Sequence, residues 1–424
     1  MQLNQQIKID VCSEIGELEG VIIHTPGLEV EEMTPENAER ALYSDILNLA
    51  VAGEEYATFK KVLNKVTTTY EVKDLLSDIL SDEKVRELLI RDICKNEMAM
   101  EIVPKLMEQD ATELARQLIQ GVYLERNNLT RYLSIERFSL WPLHNFLFTR
   151  DAAMSFGNQV LIGKMASRVR DREAVIMDAI FNHHPKIETS TINPNTPDVR
   201  IHYPGISIEG GDFQVGREDV TVIGTGIRTS TQGIDFILEN IKAKREGLHH
   251  ILVQELPDTP ESFIHLDMVF TFLDVDACMV YEPLIMGTNR FHTIHMEVEN
   301  GEVKRIYEEK NLPKALKKLG MDMKHVKCGG DIDSWTQERE QWHSGANFFA
   351  FAPGKVIGYE RNVHTIDQLS SNGFQVVQAR DLLSGLCDIP EGKCVITIPG
   401  SELARGGGGA RCMTMPLRRK KVNW

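Results

Sequence analysis

The sequence predicts an α/β protein of about five repeated strand–strand–helix units, closed in a squat propeller-like ring and interrupted by an inserted helical block. Three observations carry the prediction. The segments "DAAMSFGNQVLIG" from Asp151, "DFQVGREDVTVIG" from Asp212 and "NFFAFAPGKVIG" from Asn347 each run from a polar head through a strand, a turn and a second strand to Ile-Gly. Gly163 and Gly224, which close the first two, lie 61 residues apart, enough for one helix per unit. From about residue 70 to 137 the pattern turns wholly helical, and the rest of the 424 residues has room for five such units.

Taken in order, the opening "MQLNQQIKID" has no basic stretch followed by an apolar run, and no run of 18 apolar residues occurs later. The expectation is a cytoplasmic protein without a membrane span. Acidic residues outnumber basic ones 62 to 47, a net charge of −15, which argues against nucleic acid and mildly favours cationic ligands. Seven cysteines without a Cys-x-x-Cys pair read as reduced thiols. "GVIIHTPG" supplies a strand of a fifth unit, and "MTPENAERALYSD", Met33 to Asp45, reads as a surface helix capped by Thr34 with Pro35 in its first turn.

In the helical block, "VKDLLSDILSDEKVRELLIRDI" spaces leucine and isoleucine three and four apart, and Asp110 is placed to cap the next helix. Beyond the first two units, "DMVFTFLDVDACMVY" from Asp267 is a weaker fourth copy. The pairs His183-His184 and His249-His250 lack metal-ligand spacing and read as loop residues. The closing "LRRKKVNW" reads as a basic tail, solvated or at a subunit contact.

Several stretches could do chemistry. In "FIHLDMVFTFLD", read as one alternating strand, His265 and Asp267 project from the same face, as a functional pair or a satisfied structural one. Glu209 and Asp212 flank two glycines in "ISIEGGDFQVG", an acidic turn that also lets main chain approach a ligand. Asn145 and Asp151 precede the first unit's strand in "HNFLFTRDAAMSF". Arg170 and Arg228 follow the Ile-Gly of the first and second units, where ring closure would gather them at the mouth to bind an anion. In "RGGGGARCMTMP", four glycines precede Cys412; this is either a flexible linker or a mobile loop that presents a thiol, with Arg411 favouring its thiolate. One thiol, one imidazole and several carboxylates suit a planar cationic electrophile better than an amide substrate.

Together "HTPG", "MTPENAERALYSDI", "FTRD", "IEGGD", "IHLDMVFT", "GYERN" and "RGGGGARCMTMP" resemble the arginine deiminase family of guanidino-modifying enzymes, over about residues 12 to 420. The resemblance implies the pentein fold, a five-bladed α/β propeller over 1–69 and 138–424 with an inserted helical bundle at 70–137. It implies hydrolysis of L-arginine to L-citrulline and ammonia, with no metal or organic cofactor. Carried over by motif, Cys412 is the nucleophile, and His265 protonates departing ammonia and then activates water. Asp151 and Asp267 clamp the guanidinium, while Glu209 holds substrate and assists proton transfer. Arg170 and Arg228 bind the substrate carboxylate, Asn145 its α-amino end, and Asp212 orients its neighbours.

Some family members carry a further arginine in the loop before the nucleophile, where this chain has glycine. The pattern therefore leaves Arg405 without an assigned part in carboxylate binding. The glycine loop and Met33 to Asp45 would be opposing gates over the pocket, and the family's habit of self-association implies a homo-oligomer. Rival readings are an amidinotransferase, an agmatine deiminase, which would not need Arg170 and Arg228, and a non-catalytic arginine-binding protein, which would not need the thiol.

Overall fold

A computed structural model describes residues 6–35, 37–244 and 246–424. Each repeated segment folds as an antiparallel hairpin: Ala153–Phe156 with Gln159–Ile162, Phe213–Arg217 with Val220–Thr225, Phe270–Asp274 with Ala277–Val280, and Phe349–Ala352 with Lys355–Tyr359. In every case the second strand also pairs in parallel with a later strand, a geometry that requires a crossover. Helices supply it: Asp171–His183 leads to Ser190–Ile192, Thr231–Lys244 to Leu248–Glu255, Leu312–Lys318 to Lys324–Lys327, and Val363–Ser371 towards Cys394–Ile398.

The fifth sheet joins the two ends of the chain. Leu18–Ile23 pairs antiparallel with Met415–Arg419 and, after the helix Leu49–Val66, parallel with Thr68–Glu71. The tail expected to be solvated is therefore partly a strand: Arg419 is buried and donates from Nη1 to Gly16 O at 2.7 Å. Five sheets thus share one pairing pattern among the described residues, and these α/β units account for the repeats.

The sheet of the second unit is longer than its counterparts. Leu248–Glu255 pairs antiparallel with Thr293–Glu299, which turns back into Glu302–Glu309 through Asn300 and Gly301, at φ of 51° and 81°. Asn-Gly is the dipeptide that tolerates two successive positive φ values in a two-residue hairpin. His249 and His250 lie in Leu248–Glu255 and not in a loop, while His183 ends a helix and His184 caps it.

The helices Val72–Ile79, Glu83–Asn96, Val103–Met107 and Ala111–Gln120 fill the expected helical stretch only as far as Gln120; beyond it Val122–Tyr123 is a strand paired with Phe138–Leu140, and the one helix from there to residue 137 is the single turn Leu129–Tyr132. Asp110 Oδ1 accepts from Glu113 N at 2.9 Å, the N-cap its position suggested. Their apolar stripes, including Leu76, Ile90, Leu114 and Leu118, form one cluster with Ile176, Met177 and Ile180 of the helix Asp171–His183. Burying each such side chain contributes about 1.5–3 kcal/mol, so the block is docked on the first repeated unit through a shared core. Residues 33–45 form turns instead of the expected helix, with Leu42 at φ 64°; Glu36 lies outside the described residues. No helix among the described residues is long and apolar enough to cross a membrane.

Candidate active site

The polar heads of the repeated units stand just before the first strand of each hairpin, and four of them meet. Asp151 sits in the one-turn helix Thr149–Ala152, Asp212 in the turn Gly210–Asp212, Asp267 in the turn Leu266–Met268, and Asn347 two residues before Phe349–Ala352. All four are buried. The alternating strand expected at His265 and Asp267 is not formed. His265 precedes a 3₁₀ turn whose Leu266 N–H donates to Asp212 Oδ1 at 2.9 Å, and the strand starts only at Phe270. This turn aims the two side chains at different partners.

His265 Nε2 lies 2.9 Å from Glu209 Oε2, and its Nδ1 lies 3.8 Å from Asp151 Oδ1. Burial alone would lower the imidazole's pKa. Asp151, the Glu209 hydrogen bond and Asp212 outweigh it and push the value up to about 9. Burial opposes ionisation of Glu209 as well, yet His265, Arg228 and Arg170 hold that carboxyl down to about 2. The pair is therefore imidazolium and carboxylate at neutral pH. Burial pushes Asp212 the other way, up to about 7.

The two glycines before Asp212 are required for this closeness. A Cβ on Gly210 would stand 2.0 Å from Arg150 O, and one on Gly211 would stand 2.5 Å from the His265 ring. Gly211 N also donates to Asp151 Oδ1 at 3.0 Å, which fixes the first acid.

Cys412 arrives from the opposite end of the chain. Its Sγ lies 3.7 Å from Asp267 Oδ2 and accepts from Asn347 Nδ2 at 3.1 Å. Asn347 Oδ1 accepts from Arg411 N at 2.9 Å and from Cys412 N at 3.3 Å, so this single side chain holds both backbone and sulfur. Burial, then Asp267 and Asp151, push the thiol well above its ordinary value. The expected help from Arg411 is weak because its guanidinium turns away, to Asp267 Oδ2 at 2.8 Å, Glu14 Oε2 at 3.1 Å and Phe213 O at 2.8 Å. Asp267 Oδ1 has no hydrogen-bond partner among the described residues although it is buried, an uncompensated acceptor costing about 1–3 kcal/mol.

The arginines expected to bind an anion are placed differently from one another. Arg170 is buried, not exposed at a mouth: its Nη1 donates to Asp151 Oδ2 at 2.8 Å and its Nη2 to Glu173 Oε2 at 2.7 Å. Arg228 keeps partial exposure, with Nη1 3.7 Å from Glu209 Oε1. Asn145 Nδ2 donates to Ala41 O at 2.6 Å and so ties down the turns at 33–45.

Arg405 bonds to Asp45 at 2.7 Å and Glu402 at 3.0 Å, linking the glycine loop to that same segment. The two expected gates are bonded to each other. Glu55 secures the loop's base by accepting from the N–H groups of Ser401, Glu402 and Leu403 at 2.8 to 3.0 Å.

Sequence reasoning missed Asn347 as a site residue and Glu173 as the partner of Arg170. The first was legible as the head of a repeated unit, the second as an acid three residues along a helix start. Asp151, Glu209 and His265 bring one donor atom each within 4.8 Å, a spacing a metal could share. With the imidazole kept protonated by the negative charge of its neighbouring carboxylates, the trio is satisfied as an ion-pair network.

A family model described as arginine deiminase matches residues 39–419. This chain belongs to the arginine deiminase family. An arginine deiminase of Bacillus cereus is 32% identical over 433 residues, covering 98% of this chain and 99% of the relative. That of Bacillus thuringiensis subsp. konkukian is 32% identical over 434 residues with the same coverage. Among solved structures, the amidinotransferase SxtG from Microseira wollei, of the saxitoxin biosynthetic pathway, superposes with a TM-score of 0.52 at 14% identity, over 98% of each chain. The product-bound N-terminal domain of ArgZ, an arginine dihydrolase of the cyanobacterial ornithine-ammonia cycle, gives 0.51 at 12% identity, over 94% of this chain and 97% of that one. At such identities the likeness is one of α/β fold.

Proposed function

We propose that this protein is a hydrolase that converts L-arginine to L-citrulline and ammonia through a covalent amidino-thioether on Cys412. The observation that carries the reading is the approach of Cys412 Sγ to Asp267 Oδ2, 3.7 Å, beside an unpartnered buried oxygen of the same carboxylate. A guanidinium donates planar pairs of N–H bonds to carboxylates, and such charge-assisted contacts are worth about 1.5–3 kcal/mol each. Asp267 and Asp151 would hold the substrate's guanidinium so that its carbon faces the sulfur.

The charges also order the steps. In the substrate-free site, acids and burial keep the thiol protonated. A bound cation beside Asp151 and Asp267 offsets those acids, so Cys412 gives up its proton to solvent as substrate binds and becomes the thiolate. The sulfur then attacks the guanidinium carbon, and the carbon–nitrogen bond to an unsubstituted amino group breaks as the His265 imidazolium donates its proton to departing ammonia. Neutral His265, held by Glu209, accepts a proton from water as that water attacks the amidino carbon. The carbon–sulfur bond breaks, the hydroxyl proton passes to the departing sulfur as the ureido carbonyl forms, and citrulline leaves with the Cys412 thiol restored.

Carboxylate recognition falls to Arg228, whose partial exposure supports the role, with Arg170 holding Asp151 in place. Asn145 fixes the lid, and through it the substrate's α-amino end; Asp212 orients the turn that carries His265. The same proposal includes closure of the five sheets into a five-bladed pentein ring over 1–69 and 138–424. It is supported by the terminal strands sharing one sheet, and residues 70–137 would be the docked insertion. It also includes self-association in the cytoplasm, which light scattering tests.

The decisive assay is release of citrulline and ammonia from L-arginine, but not from agmatine, without added metal. The Cys412→Ser protein should be folded and inactive. Equal turnover of agmatine would remove the carboxylate reading, and product that appears only with an amine acceptor would favour amidino transfer.

A further inference from the structure

The outer part of the second unit's sheet carries a second cluster of titratable side chains. Register sets His250 opposite Glu297, and His295 opposite both Leu252 and Tyr307. Because side chains alternate along a strand, His250, His295, Glu297 and Tyr307 share one face across three strands. His249 points to the other face, with Nε2 2.9 Å from Thr221 Oγ1.

His250 Nδ1 and His295 Nε2 are 2.8 Å apart. The Tyr307 hydroxyl donates to Glu297 Oε1 at 2.9 Å and lies 2.8 Å from His295 Nδ1, with Glu309 Oε1 at 3.5 Å from the same nitrogen. A hydroxyl has one proton, so Tyr307, having spent it on Glu297, accepts the proton of His295 Nδ1. His295 Nε2 therefore presents a lone pair towards His250. Outer hydrogen bonds to one ring nitrogen that aim the other inward are the usual support of a metal-ligating histidine. One donor atom each from His250, His295 and Glu297 falls within 4.8 Å of the others.

We propose that His250, His295 and Glu297 bind one divalent transition-metal ion of the zinc type, fastening the hairpin Thr293–Glu309 to the rest of its sheet. Two imidazoles and one carboxylate leave a fourth tetrahedral position for water. Zinc–nitrogen bonds of about 2.0–2.1 Å at tetrahedral angles put the nitrogens about 3.4 Å apart, so the rings separate by about half an ångström as the ion displaces the proton between them. The site is separate from the Asp151–Glu209–His265 cluster and does not depend on the deiminase reading.

The test is calorimetric titration of chelator-treated full-length protein with zinc chloride, and with cobalt(II) as a spectroscopic probe, in the Cys412→Ser background to remove thiol binding. The expected result is one equivalent per chain, a tetrahedral cobalt absorption band, and a thermal midpoint that rises with zinc. Affinity should fall at least tenfold in each of His250→Gln, His295→Gln and Glu297→Gln. His250 and Glu297 are at the open side, so their variants keep the test informative if His295→Gln fails to fold. Absence of binding, or undiminished affinity in His250→Gln and Glu297→Gln, would overturn the proposal.

Discussion

Replacing Asn347 by alanine probes a side chain that touches Cys412, the proposed nucleophile, without being able to react. The change deletes the donor to Cys412 Sγ at 3.1 Å and the acceptor for Arg411 N and Cys412 N at 2.9 and 3.3 Å. Each lost hydrogen bond is worth about 0.5–1.5 kcal/mol, and a buried donor left unpaired costs about 1–3 kcal/mol. A stability loss of about 2–4 kcal/mol follows, because one lost acceptor strands two backbone donors. About 1.4 kcal/mol is a factor of ten in rate, so loss of two such contacts at the sulfur, about 2 kcal/mol, lowers kcat/KM by about thirtyfold.

Asn347→Asp separates the two effects. Its carboxylate still accepts from both N–H groups, but it cannot donate to sulfur and adds negative charge beside it. That variant should lose activity like alanine while recovering much of the stability. The assays are urea unfolding and the initial rate of citrulline formation. An alanine variant within twofold of the parent in kcat/KM, with an unchanged unfolding midpoint, would refute the reasoning.

Other perturbations follow from the same geometry. His265 is raised to about 9, so kcat/KM should fall as pH rises through that value and the imidazolium is lost. Glu209→Gln removes the anion that stabilises the imidazolium, so the fall moves to lower pH; an unmoved limb would place it on another group. Arg228→Ala should raise the KM for arginine with little change in kcat, whereas Arg170→Ala strips Asp151 and Glu173 of a buried partner and should cost about 3–5 kcal/mol of stability by urea unfolding. Gly211→Ala drives a methyl group into the His265 ring and should abolish citrulline formation while costing about 1–3 kcal/mol. The exposed pair Arg405–Asp45 should show a coupling under about 1 kcal/mol in a double-mutant cycle of unfolding.

Much of this site was legible because its residues occupy equivalent positions. Asp151, Asp212 and Asp267 head repeated units, and the hairpins behind them carry the expected strands. The same equivalence pointed at Asn347, but an amide carries no charge and drew no chemical reading. His265 and Asp267 were found by residue type while the strand assigned to them failed. Alternation in "FIHLD" cannot reveal that Asp212, 54 residues earlier, captures Leu266 N and bends the chain. The mouth position given to Arg170 ignored Glu173, whose carboxylate draws the guanidinium inward. His249-His250 looked inert because metal-ligand spacing was sought along the chain, whereas the partner His295 comes from a neighbouring strand, and the Asn-Gly at 300 and 301 was the available signal for it.

The central claim is a covalent bond between Cys412 and the carbon of a guanidinium, and mass spectrometry of acid-quenched protein during turnover of L-arginine tests it directly. The account predicts a mass increase equal to arginine less ammonia, localised to the peptide that contains Cys412 and absent from Cys412→Ser. Steady citrulline production by a Cys412→Ser protein, with no adduct on either form, would contradict it.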